Sequence, residues 1–589
     1  MRGKPHASCR PPRLRRPFAG ALTAAALAAP VLAAATLAFA DAEVNPPSLY
    51  QPLPADRSRV DTAATLLRRV RAEPSSLNPI LMFNAVDAEF DYLIWDRPIV
   101  LDAALHWCLN PAVAESYEEA PDHLSAVLQL RDGLTWQDGT PYTADDVVFS
   151  WQRIMDDRVV CRKARTGPDQ LADCTAIGPT TVRFRFKAAL PTNRWNVDFP
   201  ILPKHLYAPV MAADPSLAGS AAAVRLNRNP VGNGPYRLAE WVDGERLVLE
   251  RWPDYPGPAP AFARIVFQVI PDNHAALLAF ETGQIDETPL TPQQFALETS
   301  GERFAKHGVK ATGPGWTTYY IGWNVRGDVP FLADRRVREA LSRAVNKPLI
   351  IERVFHGLFT PATGVFHPDS AVGDAGVEPY TFDLGRAGDL LDAAGWKRDP
   401  DDGWRYGTAD QPDGTRRRVR AAFVLNLPQG SQTAPAIADI YQQDLRKLGV
   451  EITARTLEWA VFNERNFAGH FEAFLSAWTP GPDPDDAWNL FHASARDNGR
   501  NYTGYASAEA DALLAKGRTT FDENERLEAY RAFARIVHHD APYTFLVSAP
   551  TLWAFARDLH GVEISPRGPS LFFPGVRTWW ENSSEKVRK

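Results

Sequence analysis

The sequence has little of what marks the common classes of metalloenzyme, nucleotide-binding enzyme and hydrolase. Its 589 residues include only four cysteines, with no C-x-x-C pair and no H-E-x-x-H motif, so the usual zinc-site spacings are missing. There is also no G-x-S-x-G nucleophile elbow, no P-loop and no G-x-G-x-x-G motif for a dinucleotide. We therefore expect no metal, no cofactor and no catalytic residues in this chain.

The chain also lacks an excess of positive charge. Lys and Arg total 64 against 71 Asp and Glu, a formal net charge of −7, and no basic run occurs beyond the extreme N-terminus. A nucleic-acid-binding surface needs such a run or patch, so no nucleic-acid partner is expected. Aromatic residues are abundant instead, with 17 Trp, 16 Tyr and 30 Phe. Large hydrophobic cores explain most of them, and a binding cleft can use a few.

Acidic residues are absent from residues 1–40, where six basic residues precede an Ala-rich apolar stretch. The stretch ends in an A-x-A site at residues 38–40, and Asp41 is the first carboxylate of the chain. These features predict a secretory signal peptide cleaved near Ala40. An uncleaved membrane anchor is the alternative, because about 20 apolar residues can span a bilayer. The choice between general secretion and twin-arginine export stays open.

The cysteines fit an exported protein. Cleavage near Ala40 leaves 58 basic and 71 acidic residues, a net charge of −13, and removes one of the four cysteines. Cys161 and Cys174 bracket a polar segment that contains Gly and Pro, so in an oxidising compartment we expect a disulfide between them. Cys108 is expected to be a small buried apolar residue.

Strand-like and helix-like patterns alternate along the rest of the chain. Apolar alternation predicts strands at residues 126–131, 246–251 and 263–270. Apolar residues at helical spacing predict helices at residues 143–154, 334–345, 435–448 and 523–538. Strands mixed with helices of 10–16 residues indicate an α/β (mixed α+β) protein of several domains.

Four segments combine a turn, a strand and an aromatic residue: residues 130–149 (LRDGLTWQDGTPYTADDVVF), 230–236 (PVGNGPY), 319–325 (YYIGWNV) and 477–486 (AWTPGPDPDD). Three more segments accompany them along the chain, residues 270–286 (with IPD and FETGQID), 324–347 (with FLADRRVREALSRAVNK) and 391–396 (LDAAGW). In this order they resemble the family 5 extracellular solute-binding proteins of ABC importers, the oligopeptide- and dipeptide-binding group. The resemblance covers roughly residues 60–570.

The resemblance implies a two-lobed periplasmic-binding-protein-like fold that closes on its ligand about a hinge. Lobe I would comprise residues 58–86, 200–312 and 546–589, with an extra inserted domain at residues 87–199. Lobe II would comprise residues 313–545, and the hinge strands would cross near residues 312 and 546. The implied location is the periplasm.

For the binding site, the resemblance implies a tryptophan in lobe II followed three residues later by an aspartate that pairs with the ligand's amino group. Trp478 is similar to that tryptophan, but the third residue after it is Gly481. Either Asp483, with Asp485 beside it, takes over this role, or the ligand lacks a free amino group, because a buried ammonium without a partner is costly. The remaining expected ligand contacts are Phe83, Asn84 and Tyr319.

The resulting functional hypothesis is a non-enzymatic binding protein that delivers a peptide or peptide-like solute to an inner-membrane ABC permease, acting as a monomer. A non-peptide ligand, such as a sugar, an opine-like conjugate or a chelated metal, is the alternative within the family. A secreted hydrolase on a recycled binding fold and a sensory or chaperone-like role are the alternatives outside it.

Overall fold

The computed structural model describes residues 43–82, 84–327, 329–374, 376–410 and 415–583, so the predicted signal peptide and Phe83 lie outside the described residues. The strands are β1 (Thr65–Val70), β2 (Ile99–Leu101), β3 (Trp107–Leu109), β4 (Ala114–Glu119), β5 (Ser125–Leu130), β6 (Leu171–Ala176), β7 (Thr181–Phe186), β8 (Tyr236–Val242), β9 (Arg246–Arg251), β10 (Arg264–Val269), β11 (Glu287–Pro289), β12 (Gly308–Trp323), β13 (Thr360–Pro361), β14 (Lys397–Arg398), β15 (Arg405–Asp410), β16 (Arg416–Arg420), β17 (Ala422–Pro428), β18 (Glu451–Leu457), β19 (Ala473–Trp478), β20 (Tyr543–Ala556), β21 (Leu559–His560) and β22 (Trp580–Glu581). The helices are α1 (Ala85–Ile94), α2 (Ala144–Ile154), α3 (Arg162–Arg165), α4 (Asn193–Asn196), α5 (Lys204–Met211), α6 (Ala221–Arg228), α7 (Asn273–Glu281), α8 (Glu302–His307), α9 (Pro330–Ala333), α10 (Arg335–Arg343), α11 (Lys347–Arg353), α12 (Leu384–Ala393), α13 (Ala434–Leu448), α14 (Trp459–Ala468), α15 (Asp486–Phe491), α16 (Ala495–Asn498), α17 (Ala508–Thr519) and α18 (Glu523–Asp540).

The predicted strands and helices are confirmed in type and, within two residues, in extent. In β9, Leu247 and Leu249 are fully buried while their neighbours are half-buried, as period-two alternation requires. In α2, a capping box fixes the start, because the Thr143 amide donates to Asp146 Oδ2 at 2.8 Å. Its buried Ile154 then faces the core.

Two four-stranded sheets share one hydrophobic core. The first has the order β1-β10-β9-β8, in which only β1 and β10 run parallel, and the second has the antiparallel order β4-β5-β7-β6. The turn at residues 230–236 approaches the end of α1 so closely that a Cβ on Gly232 or Gly234 would overlap the Ile94 backbone. The Asn233 side chain accepts from the Asp96 amide and donates to the Asp96 carbonyl, so its role is structural.

A seven-stranded sheet carries the chain from one core to another. Its order is β11-β20-β12-β19-β17-β18, with β13 also paired to β20. The long strands β12 and β20 pair antiparallel along nearly their whole length, with a register shift between Gly313 and Thr317. Val309 packs in the core of the two four-stranded sheets, whereas Trp323, at the other end of β12, packs in a separate core with the helices α10, α12 and α13. The same two strands therefore link two parts of the molecule.

The predicted disulfide is not present in the structure, where both cysteines are buried free thiols. Cys161 Sγ donates to the Ile154 carbonyl at 3.4 Å, while Cys174 lies in β6 opposite Phe184. Each sulfur is thus held in its own part of the core, and burial raises the pKa of both thiols. The expected burial of Cys108 is only partial.

Across the part of the chain that the structure describes, no helix is both long enough and apolar enough to cross a membrane. Within the same residues, no group of three or more His, Cys, Asp or Glu side chains is arranged to hold a metal ion.

Candidate ligand-binding cavity

A cavity of about 310 Å³ lies between two segments that are far apart in sequence. One wall is the turn between β2 and β3, represented by His106. The other comes from residues 365–372 and 478–490, and Trp316 of the long strand β12 closes the space between them. The cavity therefore sits where the two parts linked by β12 and β20 face each other.

Trp478 is the large aromatic residue of the wall. It ends β19, where it pairs with Thr318 of β12, so the sheet fixes its backbone. Its ring lies 4.1 Å from the ring of Tyr320 and packs edge-on against Tyr543. The side chain stays half-buried, and part of it lines the cavity. Trp478 thus packs against the core and also presents part of its surface to the cavity.

Asp483 also lines the cavity, but its charge is already paired. Its Oδ1 accepts from Arg526 at 2.5 Å and from the Asp485 amide at 2.9 Å. Burial alone would lower the pKa of Arg526, but the adjacent Asp483 outweighs it and the net shift is upward. Asp483 therefore holds the Pro-rich loop to α18, and its charge is paired with that of Arg526.

Asp485 lies outside the cavity lining. Its Oδ1 accepts from the Tyr530 hydroxyl at 3.0 Å, and Arg518 Nε lies 3.6 Å from its Oδ2. Burial raises the pKa of this carboxyl group. Asp485 anchors the start of α15 to the helices α17 and α18 behind the loop.

Asp486 is the carboxylate of this loop that sequence reasoning did not single out. It lines the cavity with 45% of its side chain exposed, and its Oδ2 accepts from the Gly481 amide at 2.7 Å. A Cβ on Gly481 would overlap that oxygen and lie 2.8 Å from the carboxyl carbon. The carboxylate of Asp486 thus fills the space where a side chain on residue 481 would begin.

Two other predicted contacts do not reach this cavity. Asn84 is the N-cap of α1, where its side chain accepts from the Asp87 amide at 2.9 Å in a capping box. The ring of Tyr319 packs 5.6 Å from Phe355 and 6.0 Å from Phe359, on the opposite face of β12 from Tyr320. Both residues have structural roles here, and burial raises the pKa of Tyr319.

Sequence reasoning missed the ring of Phe366 and three further aromatic rings of the lining, those of His106, Trp316 and His367. His106 is exposed and lies 3.3 Å from Asp102, whereas His367 is largely buried and accepts from the Asp369 amide at 3.2 Å. Burial lowers the pKa of His367, so its imidazole is neutral at pH 7. None of the three belongs to a motif with a recognisable spacing.

A ring contact outside the cavity also joins the two facing parts. His123, in the turn between β4 and β5, stacks on Phe521, in the turn between α17 and α18, with centroids 3.9 Å apart and planes at 21°. The Nδ1 atom of the same imidazole lies 3.1 Å from Glu119 Oε1. The contact bridges segments that belong to different hydrophobic cores.

The comparison with known families decides the assignment. The family model for bacterial extracellular solute-binding proteins, family 5, matches residues 109–499. The chain belongs to this family. It is 27% identical over 521 residues to the oligopeptide-binding protein AppA of Bacillus subtilis, covering 86% of this chain and 90% of that protein. It is 26% identical to the dipeptide-binding protein of Escherichia coli, covering 78% and 85% of the two chains.

Solved structures of binding proteins match the fold of this chain. The structure of Bacillus subtilis AppA in complex with a nonapeptide matches with a TM-score of 0.73 and 25% identity, covering 89% of this chain and all of that chain. The fold is therefore the two-lobed α/β architecture of family 5 binding proteins, as the sequence predicts. The family is one of extracytoplasmic solute-binding proteins of ABC importers.

Proposed function

We propose that this protein captures a short peptide or peptide-like solute in the cavity at Trp478 and delivers it to the permease of an ABC importer. The observation that carries the proposal is the position of the cavity: its walls come from both parts of the fold, and a half-buried tryptophan faces into it. Family 5 relatives named for oligopeptides and dipeptides support the ligand class.

The proposed lobes follow the sequence prediction. Lobe I comprises residues 58–86, 200–312 and 546–589, residues 87–199 form the inserted domain, and residues 313–545 form lobe II. The wall at His106 then belongs to the inserted domain and the wall at Trp478 to lobe II. Ligand that touches both walls binds the closed form better than the open form, and that difference drives closure about β12 and β20.

The size of the cavity limits the ligand. Sites for small molecules enclose about 300–1,000 Å³, so 310 Å³ is at the lower end of that range. We therefore propose a ligand of two or three residues or a compact solute of similar size. Longer peptides would require a wider separation of the lobes.

We further propose that the mature protein is a monomeric periplasmic protein without catalytic activity, released by cleavage near Ala40. A non-peptide ligand remains the second candidate, favoured by Gly481, where the family resemblance implies a charged partner for an amino group. The carboxylate of Asp486 lies against Gly481, and its presence weakens this argument for a non-peptide ligand.

Binding assays on ligand-free protein test the proposal. The purified protein is stripped of ligand by unfolding and refolding, then titrated by calorimetry with dialanine, trialanine, glucose and sucrose. We expect heat of binding with a peptide, and a loss of at least tenfold in affinity for Trp478→Ala because a large aromatic contact surface is removed. Binding of a sugar without binding of any peptide would contradict the proposal. Glu352→Gln, an exposed change on α11, serves as control.

A further inference from the structure

We propose that the stacked rings of His123 and Phe521 form a clasp between the inserted domain and lobe II, and that this clasp slows the release of bound ligand. The inference rests on the proposed function and adds to it a contact outside the cavity that stabilises the closed form. Three features of the structure carry it: the geometry of the contact, the exposure of the two rings, and the bonds that connect each ring to one cavity wall.

The contact joins two turns whose flanking elements pack in different hydrophobic cores. His123 lies between β4 and β5, and Phe521 lies between α17 and α18. The ring centroids are 3.9 Å apart and the planes meet at 21°, an arrangement in which aromatic rings attract each other. Neither ring belongs to the described lining of the cavity, so the protein makes this contact with its own groups.

Neither ring fills a core. Phe521 remains 42% exposed and the His123 side chain 37% exposed, although the two rings cover each other. His123 also has a left-handed backbone conformation, with a φ of 56°. This conformation is uncommon and unfavourable for residues other than glycine, and it persists where the surroundings or a function require it. The two rings therefore contribute more to the contact between the lobes than to the core of either one.

Phe521 is connected to the lobe II wall through both of the helices beside it. Arg518, in the last turn of α17, lies 3.6 Å from Asp485. Arg526, in the first turn of α18, pairs with Asp483 at 2.5 Å. Both carboxylates belong to the Pro-rich loop of the cavity wall, so the turn that carries Phe521 is fixed to that loop.

His123 is connected to the opposite wall by a similarly short path. Its carbonyl accepts from the Asn193 side chain at 3.2 Å, and the next carbonyl along, that of Arg194, accepts from the Trp107 indole at 2.8 Å. Trp107 directly follows His106, which lines the cavity. Because each ring is attached to one wall, an opening of the cleft separates the two walls and the two rings together.

A clasp of this kind acts on the release of ligand. Ligand enters the open form, in which the rings are apart, and it leaves only after the rings have separated again. The contact therefore lowers the dissociation rate and leaves the association rate nearly unchanged.

Stopped-flow binding of trialanine, followed by tryptophan fluorescence, tests this kinetic effect. We expect His123→Asn to raise the dissociation rate about two- to fivefold at an unchanged association rate, because asparagine tolerates the left-handed backbone but lacks the ring. Phe521→Leu should have the same effect, whereas Phe521→Tyr keeps a ring and should release trialanine as the wild type does. Ile177→Ala, an exposed apolar position at the opposite end of the same sheet, is the matched control.

A cross-link tests the clasp without any ligand. The experiment uses ligand-stripped protein that carries Cys108→Ser, which removes the half-buried thiol. We expect a short bismaleimide to join cysteines introduced by His123→Cys and Phe521→Cys within one molecule. When trialanine is loaded before cross-linking, its release should become roughly tenfold slower or more, because the two rings' positions can no longer separate.

The outcomes separate the clasp from the proposed function. If the wild type does not bind trialanine, the proposed peptide function is overturned and the cross-link alone decides about the clasp. Failure to cross-link, or unchanged dissociation rates in His123→Asn and Phe521→Leu, would overturn the clasp and leave peptide binding intact. Faster release that comes with an equal factor of lost stability in urea would show damage to the fold and would also overturn the inference.

Discussion

Replacing Asp483 by Asn separates a structural role of this carboxylate from a role in ligand binding. The Asp483–Arg526 pair joins the Pro-rich loop to α18, and the two side chains are only 15% and 9% exposed. An asparagine oxygen can still accept from the Asp485 amide, so the substitution removes the charge and little else. Arg526 then remains largely buried without its carboxylate.

The expected loss of stability in Asp483→Asn follows from the burial of this pair. Removing one partner of a fully buried ion pair costs about 3–5 kcal/mol, and the partial exposure of both side chains reduces the expected loss to about 2 kcal/mol. Arg526 keeps its bond to the Gly517 carbonyl at 3.1 Å, which limits the damage further. The double variant Asp483→Asn/Arg526→Gln should recover part of the loss, because no unpaired charge is left behind.

Urea unfolding of the whole protein and calorimetric titration with trialanine measure the two effects side by side. We expect Asp483→Asn to lower the free energy of unfolding by about 2 kcal/mol while changing the peptide affinity less than threefold. Unchanged stability combined with a loss of affinity above tenfold would refute this reasoning and make Asp483 the partner of the ligand's amino group.

Three further predictions concern other parts of the molecule. Burial lowers the pKa of Lys347 from 10.5 to about 7. Between about pH 7 and 10.5 the unfolded chain therefore holds a proton on Lys347 that the folded chain lacks, so the stability of the fold rises with pH across that window. The gap between the two pKa values is worth about 5 kcal/mol at most, so we expect Lys347→Met to be more stable than the wild type by several kcal/mol at pH 7. In denaturant titrations this advantage should vanish near pH 10.5. His123→Ala and Phe521→Ala should each weaken trialanine binding about two- to fivefold by removing a contact between the proposed inserted domain and lobe II. The double variant should bind no worse than either single one, and additive losses would contradict a shared contact. Cys161 and Cys174 should react with a thiol reagent only after unfolding, and a non-reduced protein with one titratable thiol would contradict the free thiols of the structure.

Much of the fold could be predicted from the sequence because its signals are local. The alternation in residues 246–251 and the Thr143 cap each depend on neighbours in the chain, and both are confirmed. The predicted disulfide is wrong because the positions of the two sulfur atoms depend on contacts that are not local in the sequence. Spacing and polarity can suggest that Cys161 and Cys174 meet, but the direction of each sulfur is set by the separate core contacts of a helix cap and a strand.

The site was predictable only in part. Trp478 follows from a motif, but the carboxylate that lies next to residue 481 is that of Asp486, five residues further on, because the loop turns back on itself. The Asp tract shows that an acid is near, but not which acid faces the cavity and which faces Arg526. Trp316 and His106 reach the cavity through strand crossing and lobe packing, which leave no spacing in the sequence.

The most direct test of peptide capture between the lobes is the identity of what the exported protein already holds. Mass spectrometry of the small molecules released by denaturing freshly purified protein gives that identity without a choice of ligand. We expect a mixture of short peptides with free amino groups, absent from a Trp478→Ala preparation. A single non-peptide mass, retained by Trp478→Ala, would contradict both the ligand class and the position of the site.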